Sequence, residues 1–192
     1  LTRNRRPWLQ CALRCARYQT YSPLEILVVS SEESITDLLV ENERNLHLPG
    51  KPSIGAARNA GCEAARGEIV AHFDDDDFSA PGRLAEQVRC LVSSPGCQVT
   101  GFRTMRFTDG ASWWLYTGPP KYALGTSLAY RRDWWLGHKF PEVNIGEDAG
   151  FSAQSAGRGA LVSVDAGDMQ WATIHPGNTS PRQMTGSSWR KL

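Results

Sequence analysis

The segment SIGAARNAGCEAARGEIVAHFDDDDFSAP, residues 53 to 81, constrains the fold more than any other stretch of the chain. Ser53 is of the type that caps a helix, and Ala57, Ala60 and Ala64 recur at helical spacing, so one helix face carries only methyl groups and can lie close against a sheet. Gly67 is expected to close that helix, and EIVAHF, residues 68 to 73, follows as a short apolar strand. Asp74 to Asp77 stand where the strand ends, and in an open parallel sheet the carboxyl ends of the strands are where ligands bind. Free Asp titrates near about 3.9, so all four would be ionised and mutually repelling at neutral pH, and a bound cation would remove that repulsion. If extended geometry persists, Asp74 and Asp76 point one way and Asp75 and Asp77 the other, which lets two carboxylates share a divalent ion.

The flanking sequence repeats the same alternation. Pro7 suits a first helical turn, and Leu9, Leu13 and Ala16 recur at helical spacing after it. LEILVVS, residues 24 to 30, has the β-branched content and length of a strand buried on both faces. SITDLLVENER, residues 34 to 44, is read as a helix with Ser34 as N-cap and Asp37 where a capping box prefers Glu or Gln. Pro81 opens a further helix over PGRLAEQVRCLVSS. Strand and helix thus alternate through the first hundred residues, which predicts an α/β sandwich with a mainly parallel central sheet. In the second half, strands are expected at QVTGFRTMRF, SWWLYT, GTSLAYR, ALVSVD and MQWATIH, with one short helix near EDAGFSAQSAG.

With 192 residues the chain is long enough for one well-buried core and short for two, so a single domain is expected, with the Gly/Pro run at 118 to 120 a seam inside it. Lys and Arg (21) nearly balance Asp and Glu (20), which gives no overall field toward nucleic acid, although Arg3, Arg5 and Arg6 form a local basic edge. The five cysteines are odd in number and have no C-x-x-C or zinc-like spacing, which points to free thiols in a reducing compartment. No run approaches the length of a membrane span, so the expected setting is cytoplasmic, with peripheral membrane association open.

Three familiar readings of the acidic run fail on spacing. An EF-hand loop counted from Asp74 meets Ser79 at the sixth place and Ala85 at the twelfth; counted from Asp75 it meets Ala80 at the sixth. GKPS at 50 to 53 has Pro where a Walker A loop needs Ser or Thr, and Asn45 where its first Gly belongs. Gly55, Gly61 and Gly67 are six apart, which is no dinucleotide-binding pattern. A phosphatase of the haloacid dehalogenase type also pairs a strand with D-x-D, but usually with Thr or Val where Phe78 stands.

SIGAARNAGCEAARGEIVAHFDDDDFSAPGRLAEQV closely resembles the core of family 2 glycosyltransferases, in which a G-x-x-x-A-R-N-x-G helix precedes a strand ending in D-x-D. TSLAYRRDWWLGHKFPEVNIGEDAGF is similar to that family's acceptor-side segment with its Glu-Asp pair, MQWATIHPGNTS to a His-x-x-Asn-Thr-Ser ending seen in part of it, and LTRNRRPWLQCALRCARYQTY to its first strand's end and first helix. The resemblance implies a GT-A fold, a Rossmann-like α/β/α sandwich. Its nucleotide-binding half would be about residues 1–100 and its acceptor-side half about 101–192, with the first strand truncated. It implies transfer of a sugar, hexosyltransferase-like, from a nucleotide-diphosphate sugar donor to a carbohydrate or other hydroxyl acceptor, with inversion and with Mn²⁺ or Mg²⁺. The competing expectation is a non-catalytic sugar-nucleotide or glycan-binding domain of the same fold.

The resemblance also assigns residues. Asp76 would hold the metal, with His175 as a further ligand; Asp148 would be the base that takes the acceptor's proton, with Glu147 and Asp77 in support. Thr2, Arg3, Asn4, Arg58, Asn59, Asp74 and Asp75 would face the nucleotide sugar. The chemistry calls for such groups: a divalent ion offsets the charge that builds on a departing nucleoside diphosphate, and inversion needs a base on the opposite face of the sugar. One departure is Ser30-Ser31, where relatives commonly carry an acidic pair contacting the nucleobase side; Glu32 or Glu33 is the available substitute. Trp113-Trp114 and Trp134-Trp135 could form an acceptor platform or pack in the core.

Overall fold

The computed structural model describes residues 1–180 and 183–192. Its elements are β1 (Thr2–Arg3), α1 (Arg6–Arg17), β2 (Leu27–Ser31), β3 (Arg44–His47), α2 (Ile54–Ala64), β4 (Ile69–Ala71), β5 (Phe78–Ser79), α3 (Arg83–Ser93), β6 (Val99–Thr108), β7 (Trp113–Thr117), β8 (Ala129–Arg131), α4 (Arg132–Gly137), α5 (Glu147–Gly157), β9 (Leu161–Asp165), β10 (Gln170–Thr173) and β11 (Trp189–Lys191). The α/β expectation holds. β1, β2 and β3 form a wholly parallel sheet, with Thr2 opposite Ser30 and Leu27 opposite Arg44.

The larger, eight-stranded sheet is mixed and is organised around the long β6. β9 and β10 run parallel to it, while β7 and β8 run antiparallel and β4 pairs antiparallel with β8. Local connection decides the sense for β7: Asp109 Oδ1 accepts from the amides of Ala111 and Ser112, closing a tight hairpin that can only return the chain antiparallel. Leu9 and Leu13 of α1 pack with Val28 and Ile35 on the parallel sheet. Val99, Leu128, Tyr130, Trp135, Phe140 and Phe151 make a second core where α4 and α5 cover the larger sheet.

Two local expectations are corrected. Residues 34 to 44 form no α-helix, only a single 3₁₀ turn at Thr36–Leu38 before β3 begins at Arg44. The groups that would have supported the helix are taken by α1: Asp37 pairs with Arg6, and Arg17 binds Glu43 through Nε and Nη2, each at 2.8 Å. Asn42 then breaks the chain with a φ of 72°. α2 starts at its Ser53 cap as expected, the hydroxyl accepting from Ala56 N, but it ends at Ala65, before Gly67, because Glu25 captures the amides of Arg66 and Gly67. The helix α4 has no counterpart among the expected elements.

α2 makes its close approach through glycines rather than through the expected alanine stripe: its buried residues are Gly55, Arg58 and Cys62, while Ala57, Ala60 and Ala64 are half-buried. A Cβ on Gly61 would sit 2.9 Å from a Val29 methyl, so the helix rests directly on β2. At the other end, a Cβ on Gly55 would lie 1.8 Å from the Pro141 carbonyl oxygen. That crowded loop is also hydrogen-bonded to the helix start: Val143 O accepts from Gly55 N and Asn144 Oδ1 from Ile54 N, both at 3.1 Å.

Between the two sheets lies an apolar slot of about 1030 Å³, walled by Leu27 and Val29 of β2, Ile69–Ala71 of β4, Cys62 of α2 and Leu84 and Val88 of α3. Among the described residues the facing edges of β2 and β4 pair with no strand along the slot, except where β1 meets Ser30 and Ser31. Leu1 N, at the slot's end, lies 3.4 Å from Phe73 O.

Gly55→Ala forces the Pro141 backbone away from α2. We expect a loss of about 1–3 kcal/mol in a denaturant titration, the range for overpacking a tight contact; a change within error would show that the loop yields freely.

Candidate active site

The ends of β1, β2 and β4, the starts of α2 and α5, and the segment after β10 enclose a cavity of about 440 Å³. All four aspartates of the acidic run line it, and Asp75 and Asp76 share Arg5. Asp74 Oδ1 lies 3.6 Å from Arg58 Nη2. Asp75 is buried and accepts from Arg5 Nη1 at 3.1 Å, and burial pushes its carboxyl above the ordinary range. Three donors converge on Asp76 Oδ2: Arg5 Nη1 at 2.8 Å, His175 Nε2 at 3.0 Å and Asn178 Nδ2 at 3.2 Å. Asp77 is buried beneath them, accepting from Thr126 Oγ1 at 2.5 Å and Thr173 N at 3.1 Å. Burial, with Asp74 and Asp76 adding like charge, holds the Asp77 carboxyl well above its ordinary range.

His175 is held from several sides. Its ring stacks on Trp8 of α1 at a centroid distance of 4.8 Å, and its amide donates to Asn178 Oδ1 at 2.7 Å. The Arg5 guanidinium reaches from β1's end to the Gly177 carbonyl, joining the chain's first turn to this late segment. Below the run, the fully buried Arg83 donates to His72 O, Ser79 Oγ and Thr126 O, and burial lowers its pKa to about 10.

On the opposite wall, α5 begins at Gly146, whose φ is 88°, and its first turn carries Glu147 and Asp148. Glu147 is buried against Arg58, with Oε1 3.3 Å from Nε; burial raises its carboxyl and Arg58 opposes the rise. Asp148 is only partly buried and lies over Gly125, where a Cβ would come within 2.1 Å of its Oδ2. His72 sits behind this floor with Nδ1 2.7 Å from Arg58 Nη1 and 2.9 Å from Gly125 O, and Nε2 2.9 Å from the Tyr130 hydroxyl. Burial first, and then the Arg58 charge, holds its pKa well below the ordinary histidine value, so the ring is neutral.

The cavity therefore gathers Thr2, Arg3, Arg58, Asp74 to Asp77, Glu147 and Asp148, with His175 touching Asp76 from just outside. Two expected residues do not reach it. Asn59 does not face a nucleotide: its amide binds Phe140 O and accepts from Phe140 N and Trp135 Nε1, which anchors α2 to the acceptor-side segment. Asn4 is exposed in a left-handed turn with φ 52° and donates to Glu32 Oε2 at 2.6 Å. Ser30 and Ser31 do line the cavity, while Glu32 and Glu33 are held by Asn4, Lys51 and the Arg5 amide. The tryptophan pairs lie elsewhere: Trp135 is fully buried and Trp134 packs on the same core.

Arg5, Thr126 and Asn178 were not singled out by sequence. Arg5 was visible only as part of a basic edge and Asn178 only inside the His-x-x-Asn-Thr-Ser stretch; Thr126 carries no local signal. Among the described residues no group of three or more His, Cys, Asp and Glu forms a preassembled metal cage. Asp76 and His175 offer one carboxylate and one imidazole.

Fold and cavity define a GT-A α/β protein open at the carboxyl ends of its parallel strands. The glycosyl transferase family 2 model matches residues 1–147, and the chain belongs to that family. It is 31% identical over 93 residues to the putative glycosyltransferase EpsH of Bacillus subtilis, a match covering 45% of this chain and 27% of EpsH. S. aureus TarS residues 1–349 share the fold with a TM-score of 0.72 at 18% identity, over 90% of this chain and 58% of that one. The mannosyltransferase PcManGT of Pyrobaculum calidifontis, solved with GDP-Man and Mn²⁺, gives a TM-score of 0.69 at 17% identity, over 93% and 56%. The chain thus spans about a quarter of that curated relative and a little over half of these structures.

The buried neutral His72 sets a pH dependence. Its folded pKa is depressed, so its contribution to stability is fully present above the unfolded value of about 6.5 and is lost as pH falls below it. We expect Tm to drop between pH 7.5 and 5.5, and His72→Gln to flatten that slope; an unchanged slope would place the titration elsewhere.

Proposed function

We propose that this chain transfers a sugar from a nucleoside-diphosphate sugar to an acceptor hydroxyl, with inversion and with a divalent cation, Mn²⁺ or Mg²⁺. The observation that carries the reading is that Asp76, in contact with His175, and Asp148 line one cavity from opposite walls. Asp76 Oδ2 is the point on which Arg5, His175 and Asn178 already converge, so the site is built to hold positive charge there. Carboxylate and imidazole suit Mn²⁺, and one carboxylate with substrate phosphates suits Mg²⁺, so the donor set fits either ion with the diphosphate completing the shell. Such an ion, when bound, offsets the charge that grows on the departing nucleoside diphosphate.

The chain's own groups divide the remaining tasks. Arg5, engaged by Asp75, Asp76 and the Gly177 carbonyl, fixes the acidic run beneath the diphosphate, Thr2, Arg3 and Ser31 line the nucleoside end, and Asp74 faces the donor sugar or ribose. Asp148 takes the proton of the acceptor hydroxyl; that oxygen bonds to the anomeric carbon as the bond from carbon to diphosphate oxygen breaks, and the proton stays on Asp148. The Mn²⁺ and GDP-Man of the related mannosyltransferase accord with this reading. The free state of all five cysteines accords with a reducing, cytoplasmic setting, and no helix among the described residues is long and apolar enough to cross a membrane.

We read residues 1–192 as one GT-A domain. The apolar slot between β2 and β4 has room beside β2, and the register of Thr2 on Ser30 would set residues added ahead of Leu1 opposite Val28 and Leu27. An apolar extension of about five residues ahead of Leu1, roughly one short strand, is expected to raise Tm and slow amide exchange in Leu27–Val29 and Ile69–Ala71. A polar extension of equal length should do neither; equal behaviour of the two would remove the strand.

Thermal shifts with nucleoside diphosphates and their sugar conjugates, with and without Mn²⁺, test the site directly. Stabilisation by one nucleotide should require the metal, and Asp76→Asn should abolish it. Asp148→Asn should keep that stabilisation while turnover falls by about 10²–10⁴, the range for a lost general base. Metal-independent stabilisation in the native chain would overturn the cation's role, and undiminished turnover in Asp148→Asn would overturn the base.

A further inference from the structure

Arg58 occupies an unusual place for a residue expected to face the nucleotide. Its side chain is 6% exposed, and its three nitrogens are divided between two elements, the end of β4 and the start of α5. Nη2 faces Asp74 at the end of β4, Nε faces Glu147 at the start of α5, and Nη1 meets the His72 ring. His72 in turn contacts Gly125 O, and Gly125 is the floor against which Asp148 lies with no room for a side chain between them. The planar fork therefore reaches Asp148 by two routes, through the adjacent Glu147 and through His72 and Gly125.

We infer that Arg58 is a positioning residue that holds Asp148 at a fixed place relative to the donor site by joining the acidic end of β4 to the first turn of α5. The inference rests on Asp148 being the base. It gives Glu147 a definite task as the carboxylate through which the guanidinium grips α5. A displacement of about 1 Å at a reacting group can cost on the order of 10² in rate, so a single guanidinium bridging both walls is enough to matter. Arginine suits the place because a lysine ammonium is a point charge and cannot meet all three partners at once.

The charged and titratable groups that face Asp148 are Glu147 on its own helix, Arg58 on α2 and, across the cavity, Asp74; His72 stands behind Gly125 as a neutral ring. Glu147 and Arg58 offset one another beside it.

Two variants test the inference in the intact chain, each first checked for a cooperative melt. Arg58→Lys should lower kcat by about 100-fold while the donor KM stays within about threefold. Glu147→Ala, which removes the carboxylate that faces Arg58 Nε, should lower kcat by about tenfold or more, again with the donor KM within about threefold. A donor KM raised tenfold or more with kcat unchanged in Arg58→Lys would make Arg58 a donor ligand and overturn the inference, as would an unchanged kcat in Glu147→Ala. If Arg58→Lys does not fold, the kcat-against-KM split of Glu147→Ala decides alone. Asp148→Asn, assayed alongside, separates the two levels: if it keeps full turnover the base reading itself has failed, and if it abolishes turnover while the other variants behave like the native chain, only the positioning role has failed.

Discussion

Four adjacent carboxylates can coexist at the end of β4 only because the fold brings a partner to each, with Arg5 shared between Asp75 and Asp76. Asp74 faces Arg58 from α2, Asp75 faces Arg5 from the start of α1, Asp76 draws Arg5, His175 and Asn178, and Asp77 is answered by the neutral Thr126 hydroxyl and a backbone amide. These partners come from positions as distant as 5 and 178, so the acidic run is the point at which the first turn, the central strand and the final segment must meet. Removing one cation from such a set leaves a carboxylate desolvated without compensation, and that loss exceeds what the pair contributed. The buried and raised Asp77 is the exception that makes the arrangement possible, since a carboxyl that tends to keep its proton adds less repulsion to its neighbours.

Close approach does the rest. α2 lies on β2 because Gly61 offers no side chain against Val29, and the loop at 141 to 144 reaches α2 because Gly55 offers none against Pro141. Gly125 admits Asp148 in the same way. These contacts fix how far α2 and α5 stand apart, and Arg58 spans that gap with one guanidinium. The site's geometry thus depends on three missing Cβ atoms as much as on its charges. Packed interiors do not absorb such changes smoothly, so a methyl added at any of the three positions would be felt across the cavity.

Much of this was legible in the sequence where local chemistry and tertiary need agree. The Ser53 cap, the helix after it, the apolar strand and the acids at its end all formed as read, because each is set by its own neighbours. The helix expected at 34 to 44 failed where they disagree: Asp37 and Glu43 were drawn to Arg6 and Arg17 of α1, an attraction that helix spacing cannot show. The parallel character was read correctly for β1 to β3, while the mixed sense of the larger sheet follows from hairpin turns such as Asp109–Ser112, whose effect appears only once β6 is in place. Asn59 sits inside a motif suggestive of ligand contact yet anchors Phe140 and Trp135, because a motif fixes which residues are near a site and not which way each amide turns.

The end of the cavity at Ser30 and Ser31, the nucleoside end on the proposed reading, marks where charge gives way to shape. Ser30 and Ser31 stand where a carboxylate could have contacted the base, and the nearest acids do not replace it: Glu32 is paired with Asn4 and Lys51, and Glu33 with the Arg5 amide. Their carboxylates serve to hold β1's end and the Arg5 backbone in place. Arg5 then carries its side chain to Asp75 and Asp76, so the acids beside Ser30 and Ser31 act on the acidic run through the main chain. The cavity lining is accordingly divided, with hydroxyls, Val29, Leu48 and Pro52 at one end and ionic groups concentrated around Asp74 to Asp77. If the cavity holds the proposed donor with its diphosphate at the acidic run, that division would place the strongest electrostatics where the leaving group's charge develops, which is the part of the donor whose binding changes most in the transition state.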